Sequence, residues 1–171
     1  MTRDLKALRP GETRWRIGLL NGVNVPNVGR RNKAVYGAVE SLEALENYVT
    51  GLADSLGVDL AKKFASNHEG AILDWIHAEG YDLDGILFNP GGLISFGLPT
   101  RQALSDTGVP VVEVHFSNIA AYGFTSIFSP HVVGTVAGLR KHSYAAGLTG
   151  MVSMLDDGDF VKPSETNPYR Y

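Results

Sequence analysis

The sequence predicts an α/β domain, with a five-stranded parallel sheet covered by helices on both faces. Short apolar segments that read as buried strands recur along the chain, and amphipathic helical segments separate them. Parallel strands require crossovers of this kind. The chain has 171 residues with 44% hydrophobic content, enough for one domain with a full core.

Two strands and one helix are predicted in the first half of the chain. Residues 14–20 become apolar and predict a buried strand that ends at Asn21. Ser41 is a suitable cap for a helix that continues through residue 56, with apolar residues at helical spacing. Residues 58–65 predict the second strand, and its two lysines favour an edge of the sheet.

A long loop, residues 21–37, separates the first strand from this helix. Loops of such length are commonly functional lids. It carries Arg30, Arg31 and Tyr36 together with several glycines. The loop is therefore a candidate to cover a binding site.

The middle of the chain predicts two helices around a third strand. Asn67 is predicted to cap a helix that runs to residue 79. Residues 85–89 predict a buried strand, and Pro90 with two following glycines is expected to end it. A short helix is predicted over residues 98–105.

The last part of the chain predicts two strands and a helix. The predicted elements are a buried strand within 110–118, a strand at 129–138 and a helix at 142–155. We therefore expect one domain over residues 15–155, between a polar N-terminal extension, 1–14, and a polar C-terminal tail, 156–171.

Five strands with these connections fit the flavodoxin-like order 2-1-3-4-5. In that order, the loops after the first, third and fourth strands meet at the switch point of the sheet. Residues 21–36, 89–96 and 115–122 are therefore predicted to line one crevice.

Composition excludes several classes of function. The net charge of −3 provides no basic field that would attract nucleic acid or an anionic membrane. No apolar run approaches about 18 residues and the start is polar, so we expect a cytoplasmic protein. There is no cysteine, and the five histidines lack metal-ligand spacing, so no metal is expected.

The fourth strand carries the clearest chemical signal. Glu113 and His115 are two residues apart, so they lie on one face of a strand. A carboxylate beside an imidazole can fix its tautomer and stabilise the imidazolium. The alternative is a half-buried histidine next to a solvated glutamate, but the pair stands where ligand sites form in open α/β sheets.

The other polar groups of the predicted crevice suit a carboxylated substrate. Ser117 and the backbone N–H of Phe116 can hold a carboxylate without a positive charge. A positive charge on Arg31 favours the phenolate form of Tyr36, which is a base. Such a base and an imidazolium acid on opposite sides of a substrate suit elimination of water from a hydroxy-ketone.

Six motifs, in order and spacing, resemble those of the type II 3-dehydroquinate dehydratases. The resemblance covers about residues 15–150, and its motifs are Asn21-Gly-Val-Asn24, Gly29-Arg-Arg31, Tyr36-Gly37, Ser66-Asn-His-Glu-Gly70, Asn89-Pro-Gly-Gly92 and Glu113-Val-His-Phe-Ser-Asn118. It implies a flavodoxin-like subunit, usually one of twelve in a homo-oligomer built from trimers. It also implies a cofactor-free hydro-lyase of the shikimate pathway, in aromatic amino acid biosynthesis, that removes water from 3-dehydroquinate by anti elimination through an enolate.

The resemblance also implies residue roles. Tyr36 removes the proton next to the ketone, and Arg31 keeps the Tyr36 phenol ionised. Asn24 stabilises the enolate. His115, oriented by Glu113, protonates the leaving hydroxyl. The resemblance further implies a substrate-binding set made of Asn89, Phe116, Ser117, Ser95 and Gln102.

This chain departs from the family at the diol end of the substrate. Where the family carries Thr-His and a following Asp, the chain has Ile94, Ser95 and Gln102. Where the family carries Arg-Glu-x-Phe-Arg, the chain has residues 120–126 with no arginine. Two alternatives therefore stand beside the dehydratase: a lyase for a less hydroxylated cyclic keto-acid, and a non-catalytic relative. An activity assay with 3-dehydroquinate distinguishes the dehydratase from the lyase with a different substrate. The substitution Tyr36→Phe distinguishes an enzyme from a non-catalytic relative, which has no activity to lose.

Overall fold

The computed structural model describes residues 15–157. The predicted extension 1–14 and the tail beyond 157 lie outside the described residues. Five parallel strands form one sheet in the order β2-β1-β3-β4-β5, which confirms the predicted flavodoxin-like topology. The strands are β1 (Arg16–Val23), β2 (Asp59–Ala65), β3 (Gly85–Gly91), β4 (Val111–His115) and β5 (Gly134–Ala137).

Within the described part of the chain, five α-helices accompany the sheet. They are α1 (Lys33–Tyr36), α2 (Leu42–Ser55), α3 (Glu69–Glu79), α4 (Leu98–Thr107) and α5 (His142–Asp156). Apolar residues of α2 and α5 share one core cluster with the sheet, and those of α3 and α4 share the other. Helices therefore cover both faces, as predicted. Within residues 15–157, none of the helices has the length and apolar character needed to cross a membrane.

The third strand is longer than predicted, because Pro90 lies inside it. The Ile86 N–H donates a hydrogen bond to the Pro110 carbonyl oxygen, just before β4. The backbone N–H groups of the even-numbered β3 residues therefore point toward β4. The β3–β4 pairing ends at Phe88, so position 90 lies beyond the last paired residue on that side. Odd-numbered residues still pair with β1 as far as Val23 and Gly91. Proline is tolerated here because it lacks only a donor that the sheet does not use.

The last strand is shorter than predicted. A 3-10 helix occupies Ser129–His131, and only Gly134–Ala137 pairs with β4. Pro130 stands at the start of that helix, where its fixed φ and missing N–H favour a helical turn over a strand.

The prediction that Asn67 caps the helix ending at residue 79 was wrong. Helix α3 begins at Glu69, and the Asn67 side chain accepts a hydrogen bond of 2.8 Å from the backbone N–H of Asn24. Asn67 therefore holds the end of β1 rather than the start of α3. Glu69 links α3 to α4, since its Oε1 accepts a hydrogen bond of 2.8 Å from the Thr100 hydroxyl.

Candidate active site

The loop after β1 folds into an ordered flap, which we call the lid segment (residues 24–40). It contains a 3-10 helix at Val28–Arg30 and helix α1, although the sequence indicated no helices there. Val25 and Val28 are buried in the core and anchor its first half. Gly29 passes so close to the chain at Glu40 that a Cβ would lie 2.0 Å from the Glu40 carbonyl oxygen. The lid segment is thus folded back on itself.

Arg31 and Tyr36 contact each other within the lid segment. The Arg31 guanidinium donates a hydrogen bond to the Tyr36 hydroxyl. Its Cζ also lies 3.7 Å from the centroid of the tyrosine ring. Asn32 caps α1 between them by accepting a hydrogen bond from the Ala34 N–H, which sets the turn that brings the two side chains together. A positive charge so placed can stabilise negative charge on the phenol oxygen.

Glu113 and His115 form a buried pair at the end of β4, with 0% and 4% of their surfaces exposed. The His115 Nε2 lies 2.6 Å from the Glu113 Oε1. Two further groups hold the carboxylate at Oε2: the Ser129 hydroxyl donates at 2.8 Å and the Thr135 hydroxyl at 3.3 Å. Because Nε2 is engaged by the carboxylate, Nδ1 is the imidazole nitrogen left for another partner.

The pKa of the Glu113 carboxyl reflects these opposing effects. Burial by itself would raise the pKa, but hydrogen bonds from the His115 imidazole and from the Ser126 and Ser129 hydroxyls, with the imidazolium charge, lower it below its ordinary value. The carboxylate is therefore ionised across the neutral range, in the form that can orient and charge-stabilise His115.

The lowered pKa predicts how stability depends on pH. A carboxylate with a lower pKa in the folded state stabilises the fold above its unfolded pKa, and this contribution is lost as the pH falls through the folded pKa. We expect the difference in unfolding free energy between the wild type and Glu113→Gln to shrink as the pH falls below about 4.5. Urea titrations over a pH series measure this difference, with Glu43→Gln on the exposed start of α2 as control. A difference that grows on acidification would contradict the prediction.

Phe116 connects the lid segment to the end of β4. Its ring lies edge-on to Tyr36 with centroids 6.4 Å apart, and 5.2 Å from the ring of Tyr144 in α5. Val114 faces α5, because it meets Gly147 there, so Glu113 and His115 project from the other face of β4. Tyr36 and His115 therefore flank the same strand end from two sides.

A buried network that the sequence did not predict lies beneath Phe116. Tyr144 is completely buried, and its hydroxyl donates to the Asn21 Oδ1 at 2.7 Å and accepts from the Asn89 Nδ2 at 2.8 Å. Burial raises the pKa of the Tyr144 phenol, although the hydrogen bond from Asn89 partly opposes this. Tyr144 is therefore a neutral donor that ties the ends of β1 and β3 to α5.

This network gives Asn89 a structural role in addition to the predicted one. Its Oδ1 accepts a hydrogen bond of 3.0 Å from the Gly91 N–H, and its Nδ2 binds Tyr144 on the α5 face of the sheet. One amide N–H of Asn89 remains for a further partner. Sequence could not distinguish these uses, because Tyr144 sits in an apolar helical stripe that reads as core.

We expect Tyr144→Phe to lower the unfolding free energy by about 1–3 kcal/mol, because the buried Asn21 amide oxygen and one buried Asn89 amide N–H lose their partner. The aromatic ring and its packing on Phe116 are kept, so the loss reports the hydroxyl alone. Urea unfolding measures the effect. Tyr48→Phe is the matched control, since that hydroxyl is near the surface and lies 3.2 Å from His142. Equal losses in the two variants would contradict the network's importance.

Asn24 is the first residue of the lid segment. It is exposed and has a positive φ of 70°, a conformation that asparagine tolerates better than most residues. Its amide nitrogen lies 3.3 Å from where a Cβ at Gly92 would stand, so it is beside the loop that follows β3. Asn24 therefore reaches the same sheet end as the other site residues.

The remaining predicted residues lie around the rim. Ser117 is half-buried directly after Phe116, and Ser95 is exposed at the end of a 3-10 helix. Gln102 is exposed on α4, where its amide donates to Asp106 at 2.8 Å. The Gln102 side chain is therefore engaged on its own helix rather than with the other predicted site residues. Among residues 15–157, no cluster of three or more acidic, histidine or cysteine side chains is placed to hold a metal ion.

Comparison with known proteins identifies the family. A family model described as "Dehydroquinase class II" matches residues 15–152. A 3-dehydroquinate dehydratase from Roseiflexus castenholzii is 36% identical over 146 residues, which covers 84% of this chain and 92% of that protein.

Two solved structures agree with this match. A type II dehydroquinase from Propionibacterium acnes has a TM-score of 0.76 and 29% identity, covering 84% of this chain and 99% of that one. Another, from Butyrivibrio crossotus, has a TM-score of 0.74 and 30% identity, covering 80% and 97%. Sequence and structural similarity thus extend over most of the described residues, and the chain belongs to the class II dehydroquinase family.

Proposed function

We propose that this protein is a hydro-lyase that removes water from 3-dehydroquinate by anti elimination through an enolate, without a cofactor. The observation that carries this proposal is the pairing of Arg31 with Tyr36 and of Glu113 with His115 on two sides of one strand end. The match to 3-dehydroquinate dehydratases over most of the chain supplies the substrate.

Tyr36 acts as the base in this proposal. Its oxygen removes the proton next to the ketone, and the Arg31 guanidinium supports the negative charge before transfer. Asn24, at the start of the lid segment, stabilises the enolate that forms on the ketone oxygen. Both groups belong to the lid segment, so its position over the sheet end decides whether base and oxyanion donor act together.

His115 acts as the acid from the other side. Glu113 holds Nε2, so Nδ1 carries the proton that the leaving hydroxyl takes. The water departs on the side opposite the proton that Tyr36 removes, which is the stereochemistry of an anti elimination. Glu113 is a positioning residue, because it acts through the imidazole.

The substrate carboxylate binds the Ser117 hydroxyl and the Phe116 backbone N–H. Asn89 contributes the amide N–H that Tyr144 does not use. Ser95 and Gln102 bind the hydroxylated end of the ring, and Gln102 does so only if it leaves Asp106.

Purified protein mixed with 3-dehydroquinate tests the proposal, with the ultraviolet absorbance of the enone product as the readout. We expect turnover at a rate typical of enzymes, on the order of 1–10³ s⁻¹. No enone above the rate of a protein-free control would overturn the assignment of this substrate.

A second candidate is elimination from a less hydroxylated cyclic keto-acid. The rim favours it, because no charged residue occurs between Asn89 and Thr100 or between Phe116 and Ser129. The Ile127 N–H donates to the Ile94 carbonyl and joins these two segments. Apolar side chains stand exposed on them: Phe96 79%, Tyr122 57% and Phe124 54%.

The kcat/KM values measured for two substrates decide between these candidates. A site that binds a hydroxyl discriminates by up to about 10⁴-fold against an analogue that lacks it. A kcat/KM that is higher for a keto-acid without the ring diol than for 3-dehydroquinate would favour the second candidate. A kcat/KM that is much lower would reject it.

We also propose that the protein works in the cytoplasm, within the shikimate pathway, as a homo-oligomer of twelve subunits. The exposed apolar side chains of the rim support an oligomer, because exposed apolar patches commonly mark interfaces. Light scattering of the purified protein measures the number of subunits.

A further inference from the structure

Arg140 adopts an unusual backbone conformation beside the lid segment. Within residues 15–157, two non-glycine residues have positive φ: Asn24 at 70° and Arg140 at 56°. For an arginine this left-handed conformation is disfavoured, and such residues persist where surrounding contacts hold them. Asn24 is the first residue of the lid segment, and Arg140 contacts residues nearer its end.

The Arg140 side chain lies against the lid segment. Its Nη2 donates to the Ala34 carbonyl oxygen at 3.3 Å. A Cβ at Gly37 would lie 2.9 Å from the Arg140 Cδ and 3.1 Å from its Cβ, so the aliphatic stem packs on the bare Gly37 backbone. Gly37 has a φ of 82° and follows Tyr36 directly, so Arg140 contacts α1 both within the helix, at Ala34, and at the residue that ends it.

The Arg140 backbone is tied to the end of β4. Its N–H donates to the Phe116 carbonyl oxygen at 2.8 Å. The preceding Gly138 approaches Asn118, where a Cβ would meet the Asn118 Cβ at 3.1 Å. Arg140 is therefore one residue that joins the lid segment to the strand end where His115 and Phe116 stand.

We propose that Arg140 is a positioning residue that latches the lid segment to the end of β4 and so sets the place of Tyr36. The left-handed conformation directs the side chain across Gly37. The packing of its aliphatic stem on Gly37 and its hydrogen bond to the Ala34 carbonyl together hold α1 next to the end of β4. The importance of Tyr36 rests on the proposed function, but the latch itself is a property of the fold and can be measured without substrate.

Limited trypsin digestion tests the latch, because Arg30, Arg31 and Lys33 lie in the lid segment. Arg140→Gly removes the side chain and, because glycine tolerates positive φ, also relieves the backbone strain. The effect of losing the side-chain contacts can therefore be measured without an added backbone penalty to stability. We expect the initial rate of cleavage at these three sites, mapped by mass spectrometry, to rise about 3- to 10-fold, which is the range one net hydrogen bond and its packing provide. Hydrogen exchange of the amides of residues 33–37 should accelerate to a similar degree.

Lys141→Ala is the matched control, since it changes the adjacent residue, whose ammonium lies over the Tyr48 ring away from the lid segment. Its lid cleavage should equal that of the wild type. Arg140→Asn keeps a residue that tolerates positive φ and serves as a second variant if Arg140→Gly folds poorly. Unchanged lid cleavage in the Arg140 variants would overturn the proposal, whatever their melting temperatures.

Kinetics provide a separate readout when the protein turns over 3-dehydroquinate. A lid that is closed for a smaller fraction of time weakens apparent substrate binding, while bound substrate still closes it. KM follows the closed fraction of the lid, whereas cleavage follows the open fraction. We therefore expect KM to rise by a smaller factor than the cleavage rate, with kcat within about twofold. Absence of turnover would reject the proposed substrate and leave the cleavage test of Arg140 decisive.

Discussion

Replacing Tyr36 by phenylalanine is expected to lower kcat for 3-dehydroquinate by about 10³-fold, because the variant lacks the oxygen that removes the substrate proton. The ring keeps its edge-on contact with Phe116 and its place under the Arg31 guanidinium. Folding and KM should therefore change little. Steady-state assays of enone formation, with circular dichroism to check the fold, measure the effect.

Tyr48→Phe is the control for this substitution. It also removes one phenol hydroxyl from a partly exposed tyrosine, but that hydroxyl contacts His142 and lies outside the proposed site. Its kcat should stay within about twofold of the wild type. If Tyr36→Phe retained wild-type turnover, Tyr36 would not be the base; if the wild type itself had none, the non-catalytic alternative would stand.

Replacing His115 by glutamine is expected to lower kcat by about 10²- to 10⁴-fold. Glutamine can still offer an N–H to the Glu113 carboxylate, so the buried charge keeps a donor. It cannot supply a proton to the leaving hydroxyl. The substitution therefore separates acid catalysis from the support of Glu113, and the Ser129 and Thr135 hydroxyls continue to hold the carboxylate.

A matched substitution of another histidine strengthens this test. His142→Gln is the control, because His142 is an exposed histidine on α5. Activity of His115→Gln within about threefold of the wild type would remove His115 from the acid role.

Much of the fold follows from local patterns. The apolar strands, the Ser41 cap of α2 and the right-handed crossovers leave few topologies, and the observed order is the predicted one. The Glu113–His115 contact also follows from local geometry, since residues two apart on a strand share a face. The Arg31–Tyr36 contact spans only five positions, and the family motifs indicated it.

Contacts between distant positions could not be predicted in this way. Tyr144 reaches Asn21 across 123 positions, and Arg140 reaches Ala34 across 106. Neither residue carries a local signal for its partner, because a tyrosine in an apolar helical stripe reads as core and an arginine in a loop reads as a solvated charge. The same limit explains why Asn67 was predicted to cap a helix, whereas its side chain accepts a hydrogen bond from the Asn24 backbone N–H.

The sequence by itself determined the order of the strands, the faces that their side chains occupy and the chemical groups at the sheet end. It could do so because periodicity, handedness and capping act over a few residues. Only the tertiary structure decided that Asn89 binds Tyr144, that Ser129 and Thr135 hold Glu113, and that Arg140 lies across the lid segment. Those choices depend on which buried donors and acceptors meet once the crossovers are packed, and each must be satisfied by a neighbour that no local pattern specifies.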